Sequence, residues 1–175
     1  VSAVGFAIVV VSSAGDLRGY GAGTPPGFVS DSAGAEAWAL RTALAESVEH
    51  PRIVTDCLSL LTMATAGDCK ALPAASPLAR IWLAIRHALD APLRLLIDHR
   101  LLDWMPAHRA LGTIGRICTH RGRPLTPLDW RANRLVDHLA RQAVTPSRAV
   151  ARSYRLLASA KVAVRHSIAL LGVVT

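Results

Sequence analysis

The run Arg52-Ile53-Val54-Thr55-Asp56 constrains this chain more than any other stretch. Three β-branched residues in a row, following Pro51, predict a short buried strand over residues 53–56. A carboxylate ends it at once, and aspartate is poor in strands and costly to bury without a partner. Two readings follow. Asp56 caps a helix that starts just after the strand. Alternatively it is a site residue, because sites in open α/β sheets form beyond the carboxyl ends of strands.

The flanking sequence supplies the other elements. Residues 5–11 and 17–21 read as a β-hairpin around the turn signal Ser12-Ser13-Ala14-Gly15-Asp16. Ser30-Asp31-Ser32 caps a helix over 33–49, with Trp38, Leu40, Ala43, Leu44 and Val48 on its apolar positions. Glu36 shares the face of Leu40 and Ala43, in what the sequence predicts to be the first turn, where the helix dipole alone also favours a Glu. A helix over 58–66, a loop over 67–76 and an amphipathic helix over 77–89 follow, with Trp82 as core. The last strand falls at 99–105, with 93–97 as a competitor. Residues 109–128 form a long polar, Gly-rich loop, a kind of segment that is usually functional or mobile. Asp129 caps a helix over 130–143, where Leu135, Val136 and Leu139 face inward and Asn133 and Asp137 share one face. Residues 1–145 read as one domain, and 146–175 as a basic helical tail.

Length and composition bound the function. The 175 residues suit one domain with a full core, and 51% are hydrophobic. No apolar run is long enough for a membrane span, so no membrane partner is expected. The net charge is +8, and all but two of the twenty basic residues are arginine. That balance points to a polyanionic partner, nucleic acid above all, although an Arg- and Ala-rich composition raises the charge without any ligand. Three widely spaced cysteines form no metal-binding or disulfide pattern and suit a reducing, intracellular compartment.

Four segments then stand in order: Ala35-Glu36 followed by Ala39-Leu40 and Ala43-Leu44; Thr55-Asp56-Cys57; Trp104-Met105-Pro106-Ala107-His108; and Asn133-Arg134-Leu135-Val136-Asp137-His138-Leu139-Ala140. Over residues 5–143 this series resembles the type 1 ribonuclease H family, in the variety attached to retroelement reverse transcriptases. Cys57 stands where that family often has Ser. The resemblance implies an α/β fold, a mixed sheet flanked by helices. It implies an endonuclease that hydrolyses the RNA strand of RNA–DNA hybrids with two Mg²⁺ or Mn²⁺ ions, in a polyprotein with a reverse transcriptase domain. Glu36, Asp56 and Asp137 would be the metal ligands, as hard ions prefer carboxylate oxygens. His108 would assist proton transfer or product release. Asn133 would contact nucleic acid or fix the helix start. Arg109, Arg116, Arg121 and Arg123 are candidates for phosphate contact, with a merely solvated loop as the alternative.

One departure is large. The family carries its first catalytic Asp on a central strand just before the hairpin, and no Asp precedes Asp16 here. The expectation is that this strand and its Asp lie upstream, leaving residues 1–175 inactive by themselves. The alternative is a degenerate domain of the same fold that binds or tethers nucleic acid.

Overall fold

A computed structural model describes residues 4–107 and 109–145. The expected tail, 146–175, lies outside the described residues, as does His108.

Strands β1 (Phe6–Val11) and β2 (Leu17–Gly23) form the hairpin, antiparallel from Phe6 opposite Gly23 to Val11 opposite Leu17. The ladder shifts register between Val10 and Val11. The turn closes where expected: the Ser12 N–H donates to the Asp16 carbonyl at 2.8 Å, and Gly15 takes a positive φ of 91°.

Helix α1 (Ser32–Ala45) starts at Asp31, whose carboxylate accepts the Gly34 N–H at 2.7 Å. It stops four residues before the expected end. The Ser47 hydroxyl turns back onto the Ala43 carbonyl, and Pro51 disfavours helix just ahead of it. Val48, expected on the apolar face, is fully exposed. The buried face of α1 is built from small residues with Leu40 and Leu44, and it packs on α4 (Ala79–Leu89). Ile81, Trp82, Ile85 and Leu89 of α4 are buried, so Trp82 is core as predicted.

Between them lie β3 (Ile53–Thr55), α2 (Leu58–Ala66) and the single turn α3 (Asp68–Ala71). The expected loop over 67–76 thus contains a helical turn. Asp68 anchors it by accepting from Arg86 Nε at 2.8 Å and from the Leu93 N–H at 2.9 Å. Residues 93–97, the competing strand, instead enter the turn α5 (Leu95–Asp98), with Leu93 and Leu96 buried. Strand β4 (Leu102–Trp104) pairs in parallel with β3, Ile53 opposite Leu102 and Thr55 opposite Trp104. Within β3 only Thr55 is buried, and Val54 faces outward and is exposed.

The chain is therefore mixed α/β, with several helices and little sheet. One mixed sheet was expected. Among the described residues there are two separate two-stranded sheets, β1–β2 and β3–β4, with no ladder between them. Among the described residues β1 pairs with β2 alone and β3 with β4 alone, so each has one edge without a described strand partner.

Helix α6 (Pro127–Val144) lies against the hairpin. Its contact is close: a Cβ on Gly5 would strike the Ala140 carbonyl oxygen. Leu135, Val136 and Leu139 are half-buried there. Asp129 is not the cap, contrary to expectation. Thr126 is the N-cap and Asp129 is its partner three residues on, so the two close a reciprocal capping box. Arg123 adds two bonds to the Asp129 carboxylate, at 2.8 and 2.9 Å. Burial opposes the charge of Asp129, but the bonds from Arg123 and Thr126 outweigh it and hold its pKa below the ordinary value.

Asp129→Ala should therefore cost about 1–2 kcal/mol in urea unfolding at neutral pH. A carboxyl whose folded pKa is depressed contributes above its unfolded pKa and loses that contribution as pH falls through the folded one. The gap between wild type and variant should accordingly close in acid. An equal gap at pH 7 and in strong acid would contradict this account.

Candidate functional site

The strand end at Asp56 is pinned from the neighbouring strand. Trp104 Nε1 donates to the Asp56 carbonyl oxygen at 3.0 Å. The parallel register that sets Trp104 beside Thr55 brings that indole within reach. The capping reading of Asp56 does not hold: the residue before α2 is Cys57, and no side chain caps that helix. The Asp56 carboxylate instead accepts from Asn133 Nδ2, on α6, at 3.2 Å.

Glu36 reaches the same place from α1. The helix begins at Ser32, which puts Glu36 beyond the first turn, so the dipole explanation for it falls away. Its Oε2 accepts from the buried Thr55 hydroxyl at 3.4 Å, and Thr55 Oγ1 also receives the Cys57 N–H at 3.1 Å. Burial raises the Glu36 pKa from its ordinary 4.5 to about 7, the Asp56 charge adds to the rise, Thr55 partly offsets it, and Asp137 adds again. Asp137 lies one turn beyond Asn133 on α6, half-buried, with Arg141 Nη2 at 4.0 Å. Three carboxylates and an amide from α1, β3 and α6 thus converge, close enough for their charges to interact.

They do not close on a point. Among the described residues, no three His, Cys, Asp or Glu side chains are grouped tightly enough to hold a metal ion. The donor atoms of the three carboxylates are all hard oxygen, and Glu36 is pushed toward neutrality by burial first and by the Asp56 charge second.

The loop arginines divide. Arg121 is spent inside the fold, its Nη2 donating to the carbonyls of Ile97 and Leu102 at 3.2 Å each. Arg123 is paired with Asp129. Both candidates for phosphate contact thus make bonds within the fold. Arg109 and Arg116 are exposed, and the Arg109 carbonyl accepts from Trp130 Nε1 at 2.8 Å. Sequence reasoning placed Thr55 and Trp104 in motifs without giving either a role, and missed the pair His120–Asp103, whose Nδ1 and Oδ1 lie 2.7 Å apart. A Thr directly before the strand-end Asp was the one available signal; the others depend on strand register.

No family model, curated protein or solved structure matches the chain. Among the described residues no helix is long and apolar enough to cross a membrane.

Because the folded pKa of Glu36, about 7, lies above its ordinary 4.5, the native state holds the extra proton between those values. Its stabilising contribution is complete below the lower value and disappears as pH rises through the upper one. In metal-free buffer the stability should fall by roughly 1–3 kcal/mol between pH 5 and 8. Glu36→Gln should flatten that fall in thermal melts. A Gln variant with the same pH profile as wild type would show that Glu36 is not the titrating group.

Proposed function

We propose that the chain is a ribonuclease H-like nuclease domain that cuts the RNA strand of RNA–DNA hybrids with divalent metal ions. The observation that carries this reading is the meeting of Glu36, Asp56, Asn133 and Asp137 from three separate elements. Independent solvated carboxylates would not be gathered so, since each like-charge neighbour costs free energy. Metal ions bound to such oxygens activate water and stabilise the leaving oxygen in an in-line displacement.

The chain's own residues prepare that chemistry. Glu36, Asp56 and Asp137 are the metal ligands in this reading. Thr55 steers the Glu36 carboxylate, and Asn133 steers that of Asp56 without neutralising it. Trp104 fixes the backbone from which Asp56 projects. His108, outside the described residues, keeps its proposed part in proton transfer or product release through the resemblance alone. Among the described residues β1 and β3 each have one edge without a strand partner, which suits a further strand, and the resemblance puts the remaining Asp ligand on such a strand. The proposed polyprotein context, with a reverse transcriptase domain, also rests on the resemblance. A second reading, a binding domain without catalysis, draws on the lack of a closed ligand trio among the described residues.

The test is cleavage of an end-labelled hybrid by the full-length protein with and without Mg²⁺. Cleavage should require Mg²⁺, and Asp56→Asn should lower its rate by more than about 100-fold, the upper end of what losing a ligand-orienting group costs. Normal cleavage by that variant would refute the site, and no Mg²⁺-dependent cleavage by the wild type would favour the binding domain.

A further inference from the structure

The outward side of α6 carries Arg131, Arg134, His138 and Arg141, and all four are exposed. Their spacing of three, four and three residues sets them in a single stripe along a helix with 3.6 residues per turn. The adjacent stripe holds Asn133 and Asp137, which face the carboxylate site, while Leu135 and Leu139 turn to the hairpin. One helix therefore joins a core face, a site face and a cationic face.

Most of this charge is left facing solvent. Among the described residues no carboxylate lies within ion-pair distance of Arg131 or Arg134. Arg141 meets Asp137 only at 4.0 Å and is 76% exposed. Arg134 lies over the Trp130 ring, 5.1 Å from its centroid, which limits its freedom while leaving its donors available. The Trp130 indole also holds the Arg109 backbone, so exposed Arg109 is tied to the first turn of the same helix. By contrast, the loop arginines Arg121 and Arg123 are occupied by carbonyls and by Asp129. Repeated guanidinium groups on a rigid element, with one long ion pair at Arg141 as the carboxylate contact recorded for them, repel one another and gain by binding a row of anions.

We infer that the Arg131–Arg134–Arg141 stripe is a phosphate-binding ridge that guides one strand of a nucleic-acid duplex past the carboxylate site. The inference rests on the proposed function and adds to it the path of the substrate. Arg131 to Arg141 covers about 15 Å of helix, roughly four base steps of about 3.4 Å. The ridge reads backbone, not bases, so it gives affinity without sequence preference.

The test is fluorescence anisotropy with a short labelled RNA–DNA hybrid in EDTA, over a series of salt concentrations, using residues 1–175. Wild type is compared with Arg131→Gln/Arg134→Gln/Arg141→Gln and with Arg18→Gln/Arg52→Gln/Arg80→Gln, which removes the same charge elsewhere. The ridge variant should bind at least about tenfold more weakly, and the slope of log affinity against log salt should drop by about 2–3, or 0.7–0.9 per lost phosphate contact. The other triple variant should change the slope by less than one such contact. If the ridge triple variant does not fold, Arg131→Gln alone should lower the slope by about one contact. Equal losses in the two triple variants, or an unchanged slope in the ridge variant, would overturn the ridge and leave the proposed function standing. No hybrid binding by wild type would overturn both.

Discussion

One side-chain bond, from Asn133 Nδ2 to Asp56 Oδ2, ties together residues 77 positions apart and fixes where α6 stands against the end of β3. Its chemistry matters as much as its reach. An amide donor satisfies a lone pair of the carboxylate but brings no charge. An arginine or lysine there would have quenched Asp56 and made an ordinary ion pair. With Asn133 the contact brings no counter-charge, and the Glu36 pKa is raised to about 7 by burial first and by the Asp56 charge second.

The surrounding fold serves this arrangement. Trp104 Nε1 holds the Asp56 carbonyl because β3 and β4 run parallel in that register. The Thr126–Asp129 capping box, reinforced by Arg123, sets the start of α6, and Asn133 and Asp137 follow on the next two turns. The close approach at Gly5 seats the other end of the helix on the hairpin. The same helix then turns its exposed arginines outward beside the site.

Much of this was legible in sequence. The β-branched run before Asp56, the Asp31 cap, the hairpin turn at 12–16 and the helical spacing of Ile81, Trp82, Ile85 and Leu89 are local signals, and the structure follows them. The misreadings are tertiary. The internal bonds of Arg121 and Arg123 were not legible, because their partners, two carbonyls and Asp129, are identified only by the path of the loop. Asp129 read as a cap because Thr126, three residues earlier, carries the same signal. Residues 93–97 had strand composition, yet burial of Leu93 and Leu96 is met by a helical turn. The division into two sheets was hidden for the same reason: strand pairing is a property of neighbours in space.

The claim on which the account depends is that Glu36, Asp56 and Asp137 form a charge-coupled oxygen cluster that takes a hard divalent cation. A ¹³C NMR titration of the Glu36 carboxyl, without and with saturating Mg²⁺, measures it directly. The account predicts a midpoint near 7 in the absence of metal, as burial and Asp56 dictate, and a midpoint below the ordinary 4.5 once Mg²⁺ is present. A midpoint at the ordinary value that does not move with Mg²⁺ would contradict it.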